Sequence, residues 1–180
     1  MKIVALPKTL SQEEALKIAR KRGNILGRLI VGQKEVTLKL MYLESKEIVY
    51  DMTFQTSPLL GMIFPSARTP RRQKIRILVE GTRCNPAYVG EELQTVTVDV
   101  ADEDSVQDST FPLEKMIDDG KYLAKRMVRR QVGRHVSLEP ESIRSVYRPF
   151  YVAFYGALQP GTKVRYLPIP ADGNQISRVL

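Results

Sequence analysis

Gly156-Ala-Leu-Gln-Pro-Gly161-Thr162-Lys163 carries two glycines at the spacing of a phosphate-binding loop, whose amides would cradle phosphoryl oxygens. The threonine and lysine are transposed, however, and the chemistry needs a helix to begin there so that its dipole holds the anion. Pro160-Gly161 instead sits between two β-patterned segments, so the stretch is expected to be a hairpin turn. Cys84 is the one cysteine, and a phosphatase-type thiolate would want an arginine six positions on, where Gly90 stands. Arg83 beside it would favour the thiolate, but a semi-buried structural thiol is the expectation. His135 has no second histidine to complete a nitrogen–sulfur zinc site. Asp99, Asp102, Glu103, Asp104 and Asp108 offer oxygen ligands without the glycine and terminal glutamate of a calcium loop, which fits an acidic linker. These residues predict no catalytic centre, no cofactor and no metal site.

Two groups of residues suit recognition. The stretch SVYRPFYVAFYG, residues 145–156, holds five aromatic residues and one arginine. Tyr151-Val152-Ala153-Phe154 follows the last four positions of the RNA-recognition strand signature, whereas Tyr147-Arg148-Pro149-Phe150 departs from the first four. Alternation puts Phe150, Val152 and Phe154 on one face of a strand and Tyr147, Tyr151 and Tyr155 on the other. The phenylalanine face reads as core. The tyrosine face suits either a covering helix or a wet recognition surface. The second group is basic: Arg68, Arg71 and Arg72, with Arg129 and Arg130 and, as further additions, Arg126 and Arg134. Arginine forks match phosphate and carboxylate oxygens, so these residues and the three tyrosines form the expected interaction surface.

The charge is unevenly placed. Of the formal +8, residues 1–90 carry 16 Lys/Arg against 7 Asp/Glu. Residues 91–119 then hold ten acids and one base, and residues 120–150 hold eight bases and two acids. Such blocks steer partners more than they specify a fold. A chain of 180 residues that is 43 % apolar has enough material for a packed core. No apolar run approaches the roughly 20 residues that span a bilayer. The N-terminal MKIVALPKTLSQEEA does not read as a secretion signal, and a single cysteine suits a reducing, cytoplasmic setting.

The elements that would position these groups are marked with differing clarity. Ser11-Gln12-Glu13-Glu14 is a capping box, and Ala15, Ile18 and Ala19 follow on one face up to Gly23, which predicts a helix. Strands are expected near 25–31, 35–43 and 47–56, separated by the turn-like VGQKE and LESKE. Residues 57–73 contain three prolines and form a loop whose Leu59, Leu60, Met62, Ile63 and Phe64 are expected to fold back over the core, the alternative being a sticky surface for a partner. Strands near 74–80 and 95–100 precede the acidic connector. A second helix is predicted at about 111–131, with Leu113, Met116, Ile117, Leu123, Ala124, Met127 and Val128 as its core stripe and Gly133 as its stop. Strands near 145–157 and 163–169, an Ala-Asp-Gly-Asn turn and a short terminal strand complete the reading.

This pattern is α+β: helices packed on an antiparallel sheet. Lys74-Ile-Arg-Ile-Leu78 parallels Lys163-Val-Arg-Tyr-Leu167, which suggests two tandem helix-plus-meander halves, 1–100 and 111–180, joined by an acidic connector at 101–110. SQEEALKIA (11–19) together with ADGNQISRV (171–179) resembles PepSY-type repeats. The resemblance implies a helix on a small antiparallel sheet whose last strand turns at an Asp/Ala-x-Gly, and it implies no site or activity. The expectation for function is a non-enzymatic cytoplasmic module for protein–protein contact, with a protein partner or a second copy. Nucleic-acid binding through the basic loop and the tyrosine strand is the alternative, and small-ligand binding between helix and sheet is the third.

Overall fold

The structure is a computed structural model that describes residues 1–22, 36–54, 71–132, 136–156 and 165–173. Its elements are β1 (Lys2–Ala5), α1 (Gln12–Arg22), β2 (Val36–Phe54), β3 (Arg71–Glu80), β4 (Asn85–Val89), β5 (Val96–Asp99), a single 3-10 turn (Glu103–Ser105), β6 (Val106–Gln107), α2 (Leu113–Val132), β7 (Val136–Tyr155) and β8 (Arg165–Pro170). The strands hydrogen-bond in the order β4-β3-β2-β7-β1-β5, with β6 also on β2 and β8 also on β7. β1–β5, β2–β3, β3–β4 and β7–β8 pair antiparallel, whereas β1–β7 and β2–β6 are short parallel pairings. The fold is therefore α+β with a large, mostly antiparallel sheet, as the pattern of elements predicts.

The chain divides into two compact units that do not follow the expected halves. One comprises Met1–Leu43, Gln94–Gln107 and Tyr147–Gln175; the other comprises Glu44–Leu93, Asp108–Val146 and Ile176–Leu180. Each unit takes chain from both sides of the acidic stretch. That stretch is itself structured: Asp102 caps the 3-10 turn by accepting from the Asp104 amide (3.1 Å) and the Ser105 hydroxyl (2.8 Å), and β6 follows.

In the first unit the capping box forms as predicted. The Ser11 amide donates to the Glu14 carboxylate (3.0 Å) and the Glu14 amide to the Ser11 hydroxyl (3.2 Å), satisfying donors that the first helical turn leaves open. α1 turns Ala15 and Ala19 inward, and these small side chains let it lie close over Tyr151, Ala153, Ile169 and Ala171, with Val36, Leu38 and Leu40 beside them. A second cluster joins Ile3, Ala5, Tyr42 and Val100. After β8 the chain turns at Ala171-Asp172-Gly173. The Ala171 carbonyl accepts from the Thr9 and Leu10 amides, and Gly173 has φ +72°, with Thr9 too close to admit a Cβ.

In the second unit α2 covers one core face, built from Ile48, Tyr50 and Met52 of β2, Ile75, Ile77 and Val79 of β3, Leu138 of β7 and its own Met116, Leu123, Ala124 and Val128. The core stripe read from the sequence is right, except that Leu113 is exposed. Pro112 stands just before the helix, where a missing amide costs nothing.

The largest departure concerns LESKE, residues 43–47, expected to be a turn. β2 runs through it unbroken, and even-numbered residues of β2 supply the core contacts from Val36 to Phe54. The charged residues that suggested a turn are paired inside the sheet, whereas the buried Ser45 hydroxyl has no hydrogen-bond partner among the described residues. Glu44 accepts from Lys46 Nζ (2.6 Å) and the Ser109 amide (2.9 Å), and Lys46 also donates to the Ser145 hydroxyl (2.7 Å). β7 likewise starts at Val136 rather than near 145, and β1 and β4 were not expected. The strand near 25–31, the fold-back of Leu59 to Phe64, the stop at Gly133, His135, the turn at 157–164 and the terminal strand lie outside the described residues.

Two outcomes follow for stability. Burial raises the Glu44 carboxyl, but Lys46, the Ser109 amide and Ser145 outweigh it and hold the group below its ordinary value of 4.5. Its contribution is thus present above that value and lost as pH falls through the lower folded one. Glu44→Gln should lower the urea midpoint at pH 7, and the gap to wild type should close below pH 4.5. At Gly120 a Cβ would lie 2.5 Å from the buried Tyr50 hydroxyl, which donates to the Ile117 carbonyl. Gly120→Ala should therefore destabilise by about 1–3 kcal/mol, although alanine favours helices elsewhere. Adding Tyr50→Phe should recover part of that loss in thermal melts.

Candidate functional site

The three tyrosines of SVYRPFYVAFYG belong to the core of the first unit. Tyr151 is 4 % exposed and lies in the cluster with Ala15 and Ala19. Tyr155, partly buried, packs beside it and donates its hydroxyl to the Ala19 carbonyl (2.8 Å), with the Arg165 guanidinium over its ring. Tyr147 packs against the cluster of Ile3, Ala5, Tyr42 and Val100. The face left open between a covering helix and a recognition surface therefore goes largely to the helix. Tyr151 presents no ring to a partner.

The opposite face is buried as expected at Phe150 and Val152, and it holds an unforeseen ion pair. Arg148 lies over the Phe150 ring and meets Asp172 through two bonds, Nε to Oδ2 at 2.7 Å and a terminal nitrogen to Oδ1 at 3.1 Å. The two side chains are 3 % and 0 % exposed. A desolvated pair of this kind holds only because the fork matches both carboxylate oxygens. This arginine ties β7 to the Ala171-Asp172-Gly173 turn.

The arginines of the second unit have a different fate. Arg71 and Arg72 open β3, exposed, opposite Phe54 and Thr53. Arg129 is exposed near the end of α2; Arg68 and the side chain of Arg130 lie outside the described residues. α2 starts beside the turn after β3, where the Ser109 hydroxyl bonds the Gly81 carbonyl and Gly120 packs on Val79. From there it covers the β3 core of Ile75, Ile77 and Val79. The structure thus groups Arg71, Arg72 and Arg129 in one unit and places the three tyrosines in the core of the other.

The outer face of α2 adds Tyr122, which the sequence reading passed over. Tyr122 is 70 % exposed, and Arg126 and Arg129 follow it at spacings of four and three, which aligns all three on one helix face. Lys115 and Lys121 are occupied by Asp119 (2.8 Å) and Glu139 (3.4 Å). Lys125, Arg126, Arg129, Arg71 and Arg72 make no ion pair among the described residues. The signal for this face was the complement of the core stripe, an exposed aromatic residue among basic ones.

Other chemistry is subdued. Burial and the neighbouring Asp119 push the Cys84 thiol up to about 11, so it is a poor nucleophile at neutral pH. No group of three or more His, Cys, Asp or Glu side chains is arranged to hold a metal among the described residues. No described helix is long and apolar enough to cross a membrane. Comparison of the chain with protein-family models, curated proteins and solved structures finds no significant match in any of the three.

The buried pair allows a direct check. Asp172→Asn removes the carboxylate charge that the buried Arg148 fork meets and should cost about 3–5 kcal/mol. Replacing both partners, Arg148→Met with Asp172→Leu, should recover most of that loss in denaturant melts.

Proposed function

We propose that the protein is a docking module that acts by surface contact rather than catalysis, engaging an acidic partner protein through the outer face of α2. The observation that carries this reading is Tyr122, 70 % exposed and aligned with Arg126 and Arg129, neither of which has an ion-pair partner among the described residues. Tyrosine and arginine are the residues most enriched at energetic centres of protein interfaces, since each combines large contact area with directional donors. Lys125, Arg71 and Arg72 extend the positive field that would draw in an acidic surface. The single cysteine, with its thiol held protonated, suits a cytoplasmic setting.

The same cations would attract nucleic acid. The protein reading is preferred because the tyrosines suited to stack on bases pack against the α1 and β1 clusters instead. Affinity capture with wild-type protein and with the triple variant Tyr122→Ala, Arg126→Glu, Arg129→Glu separates the two readings. Proteins retained by wild type and lost by the variant, with affinity reduced at least about tenfold, are the expected result. An unchanged capture profile would overturn the reading. Tight, steeply salt-dependent binding of RNA or DNA oligonucleotides by wild type alone would replace it with the nucleic-acid one.

A further inference from the structure

The charges of α2 divide at Tyr122. Before it the helix carries Glu114, Asp118 and Asp119 against Lys115 and Lys121; after it come Lys125, Arg126, Arg129 and Arg130, with no acid. Both early lysines are occupied, Lys115 by Asp119 (2.8 Å) and Lys121 by Glu139 (3.4 Å). Glu114 and Asp118 are exposed and make no ion pair among the described residues, and the same holds for Arg126 and Arg129. One helix thus presents unpaired acids in its first half and unpaired bases in its second.

At about 100° per residue, Lys115, Asp118, Arg126 and Arg129 fall within about 40° of the line that runs along the helix through Tyr122. All five are exposed, so this line is the outer ridge of α2. Its charges are self-complementary about Tyr122. In an antiparallel pair of such ridges with a two-fold axis at Tyr122, residues equally far before and after it face each other. Asp118 then meets Arg126 of the other copy, and symmetry repeats the pair. The two Tyr122 rings meet at the axis, where aromatic pairs gain from offset stacking. Lys115 faces Arg129, the one poor match, but Asp119 already neutralises Lys115. A parallel pair instead sets Asp118 on Asp118 and Arg126 on Arg126 and aligns the two helix dipoles, which repel.

We infer that the acidic surface met by the outer face of α2 is the first half of α2 in a second copy, giving an antiparallel two-fold dimer. The inference rests on the docking reading above and names its occupant. The net charge of +8 opposes self-association at long range. At physiological ionic strength that repulsion is screened beyond about 8 Å, whereas the Asp118–Arg126 pairs act at contact. Five ridge positions a side fall well short of the roughly 20–30 residues of a standard interface, so the dimer exchanges with monomer.

Sedimentation of wild type over a concentration series should show a monomer–dimer equilibrium. Asp118→Arg and Arg126→Asp should each weaken it at least about tenfold, because each sets two like-charged pairs across the axis. Mixed in equal amounts, the two variants should form a heterodimer, since every reversed residue then meets its opposite. Both positions are exposed, so circular dichroism should show each variant folded as wild type is. A wild type that stays monomeric, a dimer indifferent to both reversals, or variants that do not recombine would each overturn the inference. Affinity capture with an added, differently tagged copy separates this inference from the docking reading. Loss of that copy in the triple variant, with or without other proteins, supports the inference. Loss of other proteins but not of the copy overturns it and keeps the docking reading, and loss of neither removes both.

Discussion

A strand of 19 residues must bury one face along its whole length, and neither helix can cover it alone. β2 has 19 residues and β7 has 20, whereas α1 has 11 and α2 has 20. A helix advances about 1.5 Å per residue against about 3.3 Å for a strand, so α2 covers roughly nine strand residues and α1 roughly five. Two long strands thus call for two separate cores. β2 gives Val36, Leu38 and Leu40 to the core under α1 and Ile48, Tyr50 and Met52 to the core under α2. Glu44 and Lys46 fall between these sets, on the same alternation. These two residues interrupt the apolar alternation, and the interruption looks like a turn only when neighbours in space are left out.

Each core also mixes distant parts of the chain. α1, from the N-terminal part, lies with residues of β7 and β8; α2, from the later part, lies with β2 and β3. The cost of such an arrangement is that polar groups within strands end up buried. They are handled by pairing rather than by removal. Glu47, 2 % exposed, is held between Arg76 (2.9 Å) and Arg144. Glu80 accepts from the Arg83 amide (3.0 Å) and from both the amide and the hydroxyl of Thr82. Arg148 and Asp172 pair in the first unit. Removing one partner from such a group is far more damaging than replacing both, because the remaining charge stays desolvated.

Aromatic and basic residues, which travel together in the sequence, are sorted apart by the fold. Tyr151 and Tyr155 are large rings with a polar tip, and α1 takes the rings under its alanines while a backbone carbonyl accepts the Tyr155 hydroxyl. Arginines cannot follow them into a core without a carboxylate, which Asp172 supplies to Arg148 and Glu47 to Arg76. Arg71, Arg72, Arg126 and Arg129 stay outside, where Tyr122 supplies the exposed ring that the more conspicuous tyrosines do not. Of these exposed residues, Tyr122 is the one that the sequence did not single out.

By itself the sequence determined the local elements whose causes lie within a few residues: the Ser11–Glu14 capping box, the 3–4 stripe of α2, and the alternation of β2 and of residues 150–155. It also determined the α+β class, because two amphipathic helices and many short apolar runs leave few other ways to bury their faces. Tertiary structure decided whether 43–47 turns or continues, which face of β7 meets a helix, and what Arg148 is for. The physical reason is the same in each case. A polar group in a strand is tolerated when its partner arrives from elsewhere, and Glu44 waits for an amide 65 residues away, Arg148 for a carboxylate 24 residues away. Nothing near those residues announces the partner.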